Sequence, residues 1–314
     1  MAFPAAQIRL GTSKIMKFGI FTHYFHHPME TVANRIRLLG LECVQLNMSF
    51  TNWHIDEKST SDDCRRVAKA FTSRNLSIAA LSGYRNLVAP DAERRLENVK
   101  YIRMLLGRAN DLGSPLVVTE AGSRHPHDDW APCSENGSLT AMHLLIDTLG
   151  ELAEYARKCG ATLALEPSVG TVVDTPSQIA LVSEALPSRS LGFVADWPNL
   201  IDGSNIDRAL DILSAMTAPL AGRVLLAHFK DANRVSGLRR EVHHHASNAD
   251  LYGGVEYPAP GLGSLDLAKY AQWLRTMNYD GAVIIEHVEE AAVPEALENT
   301  RAAFLHGATS QVST

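Results

Sequence analysis

Leu163-Ala164-Leu165-Glu166 is an apolar run that ends on a carboxylate, and three later stretches repeat its design. They are Gly192-Phe193-Val194-Ala195-Asp196, Val224-Leu225-Leu226-Ala227-His228 and Ala282-Val283-Ile284-Ile285-Glu286. Each reads as a buried strand followed by polar or turn residues, with helical patterns in between. In a parallel barrel the strand C-termini meet on one rim, where such enzymes keep their chemistry. Three carboxylates and one imidazole gathered there make a site for an octahedral divalent cation.

The rhythm extends upstream of these four segments. Apolar runs at 18–22, 43–47, 78–82 and 116–120 precede them, and amphipathic stretches alternate with the runs. Helices are expected at 30–39, 61–74, 90–111, 139–158, 175–186, 206–216 and 294–305, with Gly40, Gly113 and Gly160 as stops. Eight strand-helix units close a barrel, so the expected fold is α/β: one (β/α)8 barrel with its metal site at the C-terminal rim. A doubly wound open sheet would carry a glycine-rich first turn. The turn here is His23-Tyr24-Phe25-His26-His27-Pro28, without glycine.

Residues 1–16 read as an N-terminal tail and 17–314 as a single barrel domain, with a long loop at 235–260 after strand seven. Loops beyond roughly 12–15 residues in a compact domain are usually functional or disordered. This one carries His243-His244-His245, Tyr252 and Tyr257. It is expected to cover the site or to reach a partner subunit, the histidines being solvated.

Bulk properties narrow the function classes. The net charge is −6, from 29 basic and 35 acidic side chains, with no long basic run. A nucleic-acid partner would favour a concentrated basic face, so none is expected. No stretch approaches the roughly 18–20 uncharged apolar residues that span a bilayer; the apolar segment 140–156 is broken by Asp147, Glu151 and Glu154. Cys43, Cys64, Cys133 and Cys159 lie far apart without a CxxC pair and read as reduced thiols of a cytoplasmic protein.

The four strand-end residues set the chemistry. Glu166, Asp196 and Glu286 give three negative charges against a divalent cation, with His228 neutral. Hard oxygen ligands with one imidazole favour Mn²⁺, with Mg²⁺, Co²⁺ or Fe²⁺ as alternatives, over a structural zinc site. Such an ion holds a carbonyl and its neighbouring hydroxyl and stabilises the enediolate formed when the carbon loses a proton. Glu166 or Glu286 would take up that proton.

The segments Leu165-Glu166-Pro167, Asp196-x-x-Asn199, His228-Phe229-Lys230-Asp231 and Ile285-Glu286 together resemble the xylose-isomerase-like barrel superfamily. That group includes sugar phosphate isomerases, ketose 3-epimerases, dehydratases of inosose and 3-dehydroshikimate, the large subunits of C-glycoside deglycosidases, and endonuclease IV. The resemblance runs from Lys17 onward. In the ketose 3-epimerases it implies metal binding by Glu166, Asp196, His228 and Glu286, with the two glutamates exchanging the proton. An arginine six residues after the metal histidine holds substrate oxygen there, and Arg234 has that offset. Two positions depart from the epimerase pattern: Asn199 stands where a histidine is usual, and Val172 where a second glutamate is. Both are substrate-handling positions. Endonuclease IV fits worst, since it needs further histidines for three zinc ions and a basic DNA face.

Other residues carry alternative readings. Lys230 faces the same side as His228 and either meets substrate oxygen or pairs with Asp231 or Glu286. Glu120 is a sugar-hydroxyl or acid–base contact, or a rim salt bridge. His54, His125 and His127 are loop histidines on the catalytic face, able to act as bases or simply solvated. Trp53, Trp130 and Trp197 suit sugar stacking or plain packing. His287 is expected to point into the helix layer. The substrate-contact set is therefore Arg234, Lys230, Asn199, Glu120, His54 and Trp130. With no glycine-rich phosphate cradle, unphosphorylated substrates are favoured.

The reading that results is a metal-dependent sugar or keto-sugar isomerase or epimerase, expected as a homo-oligomer. A lyase of the same superfamily is the alternative, and its deglycosidase form brings a small second subunit. A barrel that binds a sugar or a partner protein without catalysis is the alternative of another class.

Overall fold

The computed structural model describes residues 16–187, 189–235 and 254–309. Eight parallel strands close into a barrel: β1 (Lys17–Phe21), β2 (Cys43–Leu46), β3 (Ser77–Ser82), β4 (Leu116–Glu120), β5 (Thr162–Glu166), β6 (Leu191–Ala195), β7 (Val224–Phe229) and β8 (Ala282–Ile285). The ring is sealed by β1 against β8, with Lys17 beside Ala282 and Ile20 beside Ile285. Helices α1 (Met29–Leu38), α2 (Ser61–Thr72), α3 (Ala92–Arg108), α4 (Leu139–Cys159), α5 (Pro176–Ala185), α6 (Ala209–Ala215), α7 (Leu267–Thr276) and α8 (Val293–Thr309) follow the strands in turn.

Local chemistry sets the helix limits. Thr60 and Asp63 form a reciprocal capping box at the start of α2, which satisfies two otherwise orphaned N–H groups. Ser138 caps α4, and Gly160, at φ 64°, ends it in the left-handed conformation that only glycine adopts without strain. The spans expected from periodicity agree with these elements to within a few residues, with one omission: α7 is not among the expected helices. Leu267, Tyr270, Ala271 and Leu274 are its buried face, at the 3–4 residue spacing of a helix, and Asp266 caps it. Two short hairpins, Ser49–Phe50 with Trp53–His54 and Asn233–Arg234 with Val255–Glu256, are also additional. The tail at 1–15 and most of the loop after β7, including His243, His244, His245 and Tyr252, lie outside the described residues.

Two apolar layers build the barrel. The larger fills the space between the outer strand faces and the helices, with Val44, Val117, Leu163, Leu165 and Phe193 meeting Ile36, Val67, Phe71 and Leu105. The smaller is internal: Cys43, Ala80, Val118, Ala164, Val194, Leu226 and Ile284, one from each of β2 to β8, pack on one another. Side chains alternate faces along a strand. The next inward position is therefore two residues on, at Gln45, Ser82, Glu120, Glu166, Asp196, His228 and Glu286. An apolar plug thus sits directly beneath seven polar side chains, and the apolar Phe21 of β1 completes their ring. At Gly19, one step below Phe21, a Cβ would collide with the carbonyl and thiol of Cys43.

Candidate metal centre and active site

Four of the inward side chains converge. Glu166, Asp196, His228 and Glu286 are buried, and each offers a ligand atom within 4.8 Å of the others. His228 Nδ1 lies 3.3 Å from Glu166 Oε1, 3.3 Å from Asp196 Oδ2 and 3.2 Å from Glu286 Oε2. Lys230, the next inward position of β7, reaches Asp196 Oδ2 at 2.7 Å and Glu286 Oε2 at 3.1 Å. Of the partners considered for Lys230, Glu286 is met and Asp231 is replaced by Asp196.

Burial disfavours every charge here, and the neighbours decide which survive. It leaves the Glu166 carboxyl above the usual carboxylate range, although His228 pulls the other way. For Asp196 burial is outweighed by the Lys230 ammonium and the His228 ring, which hold its carboxyl below that range. Glu286 follows Asp196: burial is outweighed by His228 and Lys230. The carboxylates in turn lift His228 well above the ordinary histidine range against its own burial, Glu286 and Glu166 acting most. Three acids that draw a proton onto a fully buried imidazole form a group short of positive charge. An oxygen-rich set of this kind suits a hard divalent ion.

A hydrogen-bond circuit behind the group sets which nitrogen of His228 faces the carboxylates. The Tyr84 hydroxyl donates to Glu166 Oε2 at 2.6 Å and so accepts from Gln45 Nε2 at 2.8 Å. That orients Gln45 Oε1 toward His228 Nε2, 2.7 Å away. The imidazole then donates from Nε2, which leaves Nδ1 facing the carboxylates as the nitrogen that would ligate an ion in place of the proton they draw. Asn199 completes the frame, its side-chain amide donating to Glu166 Oε1 at 2.5 Å and its backbone N–H to Asp196 Oδ1 at 3.1 Å.

Above the group lies a cavity of about 480 Å³ at the strand C-terminal rim. Of the residues expected from sequence, Glu166, Glu286, Lys230, Asn199, Glu120, Trp130 and His54 border it. Glu120 lies next to Glu166 in register across β4 and β5. Burial and then the Glu166 charge push its carboxyl well above the usual range, against the pull of the Trp130 indole. Arg234 stands outside the cavity wall, paired with Asp207 at 2.7 Å. Trp197 is structural: it is fully buried and its indole N–H donates to the Ala209 carbonyl at 2.8 Å. His125 and Trp53 do not border the cavity either; His125 Nδ1 accepts from the Asp128 backbone at 3.0 Å.

His287 corrects an expectation. It borders the cavity, its ring 5.5 Å from Tyr257 and 6.1 Å from Tyr24, instead of facing the helices. Strand β8 has ended at Ile285, so alternation no longer applies, and the left-handed backbone at His287 (φ 54°) turns it back over the rim. Sequence reasoning also passed over Gln45 and Tyr84. Counting inward positions in twos from Cys43 and Ala80 would have found both.

Fold and site together define a (β/α)8 barrel with a buried rim group able to hold a divalent ion. The xylose isomerase-like TIM barrel family matches residues 33–303, and the chain belongs to that family. Among curated proteins it is 23% identical over 278 residues to an inosose dehydratase of Geobacillus kaustophilus, covering 85% of this chain and 82% of that one. Among solved structures it resembles a xylose isomerase-like TIM barrel protein from Mycobacterium smegmatis in complex with magnesium. The TM-score is 0.71 at 15% identity, with 95% and 99% of the two chains covered. It also resembles 3-keto-D-glucoside 4-epimerase from E. coli, with a TM-score of 0.64, 19% identity and coverage of 91% and 99%. Likeness at these identities speaks for the fold. Among the described residues no helix is long and apolar enough to cross a membrane.

Proposed function

We propose that Glu166, Asp196, His228 and Glu286 hold one divalent cation, with Mn²⁺ the expected ion, and that the protein isomerises or epimerises a sugar or keto-sugar. The observation that carries this reading is which acids meet the cavity. Glu166 and Glu286 border it, whereas Asp196 and His228 are not part of its wall. Two of the four are thus placed both to ligate and to touch substrate, and both are carboxylates able to carry a proton. A bound cation would supply Lewis-acid stabilisation of the charge that develops on a carbonyl oxygen when the adjacent carbon is deprotonated. Glu286 and Glu166, at the ends of different strands, take that proton and return one. Lys230 and Asn199 orient substrate oxygens, Glu120 and Trp130 line the wall beside Glu166, and His54 stands at the edge.

A lyase is the second reading. It is favoured by the inosose dehydratase similarity and by the departures from the epimerase pattern, Asn199 and Val172. Val172 is fully buried, so no acid serves the cavity from that position.

Proton NMR of the Mn²⁺-loaded protein in D₂O, with ketoses, inososes and 3-keto-glycosides, tests the class. Deuterium entering beside a carbonyl is the expected result. The product then separates epimer, isomer and elimination. Saturable sugar binding without exchange and without metal dependence would support a binding barrel instead, and co-purification of a small second chain would support the deglycosidase form.

The circuit behind the ligands carries its own expectation. Gln45→Leu removes the acceptor that fixes the His228 tautomer, and loss of such a partner typically lowers metal affinity about ten- to a hundredfold. Titration of Mn²⁺ into wild type and variant, followed by electron paramagnetic resonance, checks it. An unchanged affinity would mean that the tautomer is set elsewhere.

A further inference from the structure

The loop after β3 brings one more charge to the cavity. Arg85 borders it beside Tyr84, the residue that grips Glu166. Its guanidinium lies over the ring of Tyr101 on α3, 3.8 Å from the ring centre, and donates to the Tyr84 carbonyl at 2.7 Å. Stacking on an aromatic face fixes the plane of the fork. Contacts with the Tyr84 carbonyl and the Tyr101 side chain engage only part of its five N–H donors.

No carboxylate among the described residues pairs with Arg85. Arginines on neighbouring segments differ: Arg94 is joined to Asp129 at 2.5 Å and Arg124 to Glu135 at 3.4 Å. The acids of the cavity have other partners. Glu286 holds Lys230, Glu166 accepts from Tyr84 and Asn199, and burial with the Glu166 charge favours the uncharged form of Glu120. With a divalent ion in place, the three ligand carboxylates are balanced by that ion and Lys230, which leaves the Arg85 charge over. A stiffened, unpaired guanidinium in the wall of a 480 Å³ cavity has the form of an oxyanion receptor, since carboxylate and phosphate are the groups that match its fork.

We propose that Arg85, braced by Tyr101, is an anion subsite, and that the substrate is a sugar or keto-sugar bearing a carboxylate or phosphate group. The proposal rests on the sugar-enzyme reading above and supplies the substrate class that reading leaves open.

The test is calorimetric titration of Mn²⁺-loaded protein with D-glucuronate, D-glucose 6-phosphate and D-glucose at low ionic strength. At least one anionic sugar should bind about tenfold tighter than glucose, as expected for a charge-assisted bidentate contact. Arg85→Met keeps the stem on Tyr101 and should bring the anionic sugars within about twofold of glucose, whereas Arg85→Lys keeps part of the gain. A gain for glucuronate alone identifies a carboxylate, and a gain for the phosphate alone identifies a phosphate. If neither exceeds glucose, or if Arg85→Met keeps the preference, the anion subsite is overturned. Mn²⁺ binding in the same samples reports on the metal group separately, so failure of the one is distinguishable from failure of the other.

Discussion

Glu286→Gln is expected to lower turnover by about a thousandfold, within the range that positioned general acid–base groups contribute, while leaving the barrel folded. Gln has the same shape but cannot carry the transferred proton. The structure also says where the damage stops. Glu286 Oε2 is one of two anchors of Lys230, and Asp196 at 2.7 Å is the other, so the ammonium stays partnered. Neutralising one of three crowded carboxylates also removes its repulsion with the other two. Circular dichroism and the melting temperature should therefore change little. Glu166→Gln should fall by a similar factor, because an amide cannot accept from both Tyr84 and Asn199 as the carboxylate does. The measurement is deuterium exchange at saturating Mn²⁺, which separates lost chemistry from weaker metal binding. Full activity in either variant would end the two-glutamate reading.

The largest effect on stability is expected at Asp231, next to Lys230. Its buried carboxylate accepts four backbone N–H groups: Ala232 at 2.8 Å and Leu265 at 3.0 Å on Oδ1, Gly261 at 3.1 Å and Gly263 at 3.0 Å on Oδ2. These bonds bind the segment leading into α7 to the end of β7. At Gly263 a Cβ would run into the carboxylate itself, so the close approach requires glycine. Asp231→Ala would strand buried donors, each worth about 1–3 kcal/mol when left unsatisfied. With partial relaxation the expected loss is about 3–5 kcal/mol, readable as a lower urea midpoint at unchanged slope. Asp231→Asn, which keeps one carbonyl oxygen, should lie between. A loss under about 1 kcal/mol would show that the segment is held by its other contacts, such as Ser264 with the Ala232 carbonyl.

How much of this was legible beforehand follows from how loudly each residue speaks in a linear chain. A charge at the end of an apolar strand is conspicuous, because burying it has a high cost unless it is used. Hence the reading of Glu166, Asp196, His228 and Glu286 from four short runs, and with them the barrel. Gln45 and Tyr84 are quiet by comparison. A neutral amide in a strand and a tyrosine after Gly83 look like ordinary surface residues until the inward register is counted. Helix α7 was hidden by the long unpatterned stretch before it. His287 depended on a single left-handed residue that alternation cannot foresee, and the pairing of Arg234 with Asp207 on a medium-exposed rim has no signature in spacing at all.

The seam between β1 and β8 has a consequence for how the protein comes into being. Strand pairs elsewhere in the barrel join neighbours in the chain, but Lys17 must find Ala282, 265 positions away (282 − 17). Until β8 is made, β1 and β7 both present open strand edges, the kind of surface that invites pairing with another chain. Glu286 arrives with that same last strand, one residue beyond Ile285. In the metal site proposed above, ion binding would be tied to closure of the ring, since a chain without β8 offers only three of the four groups. An ion that binds the closed form and not the open one would draw late-folding molecules over the seam, so metal supplied during synthesis is expected to raise the yield of closed barrels.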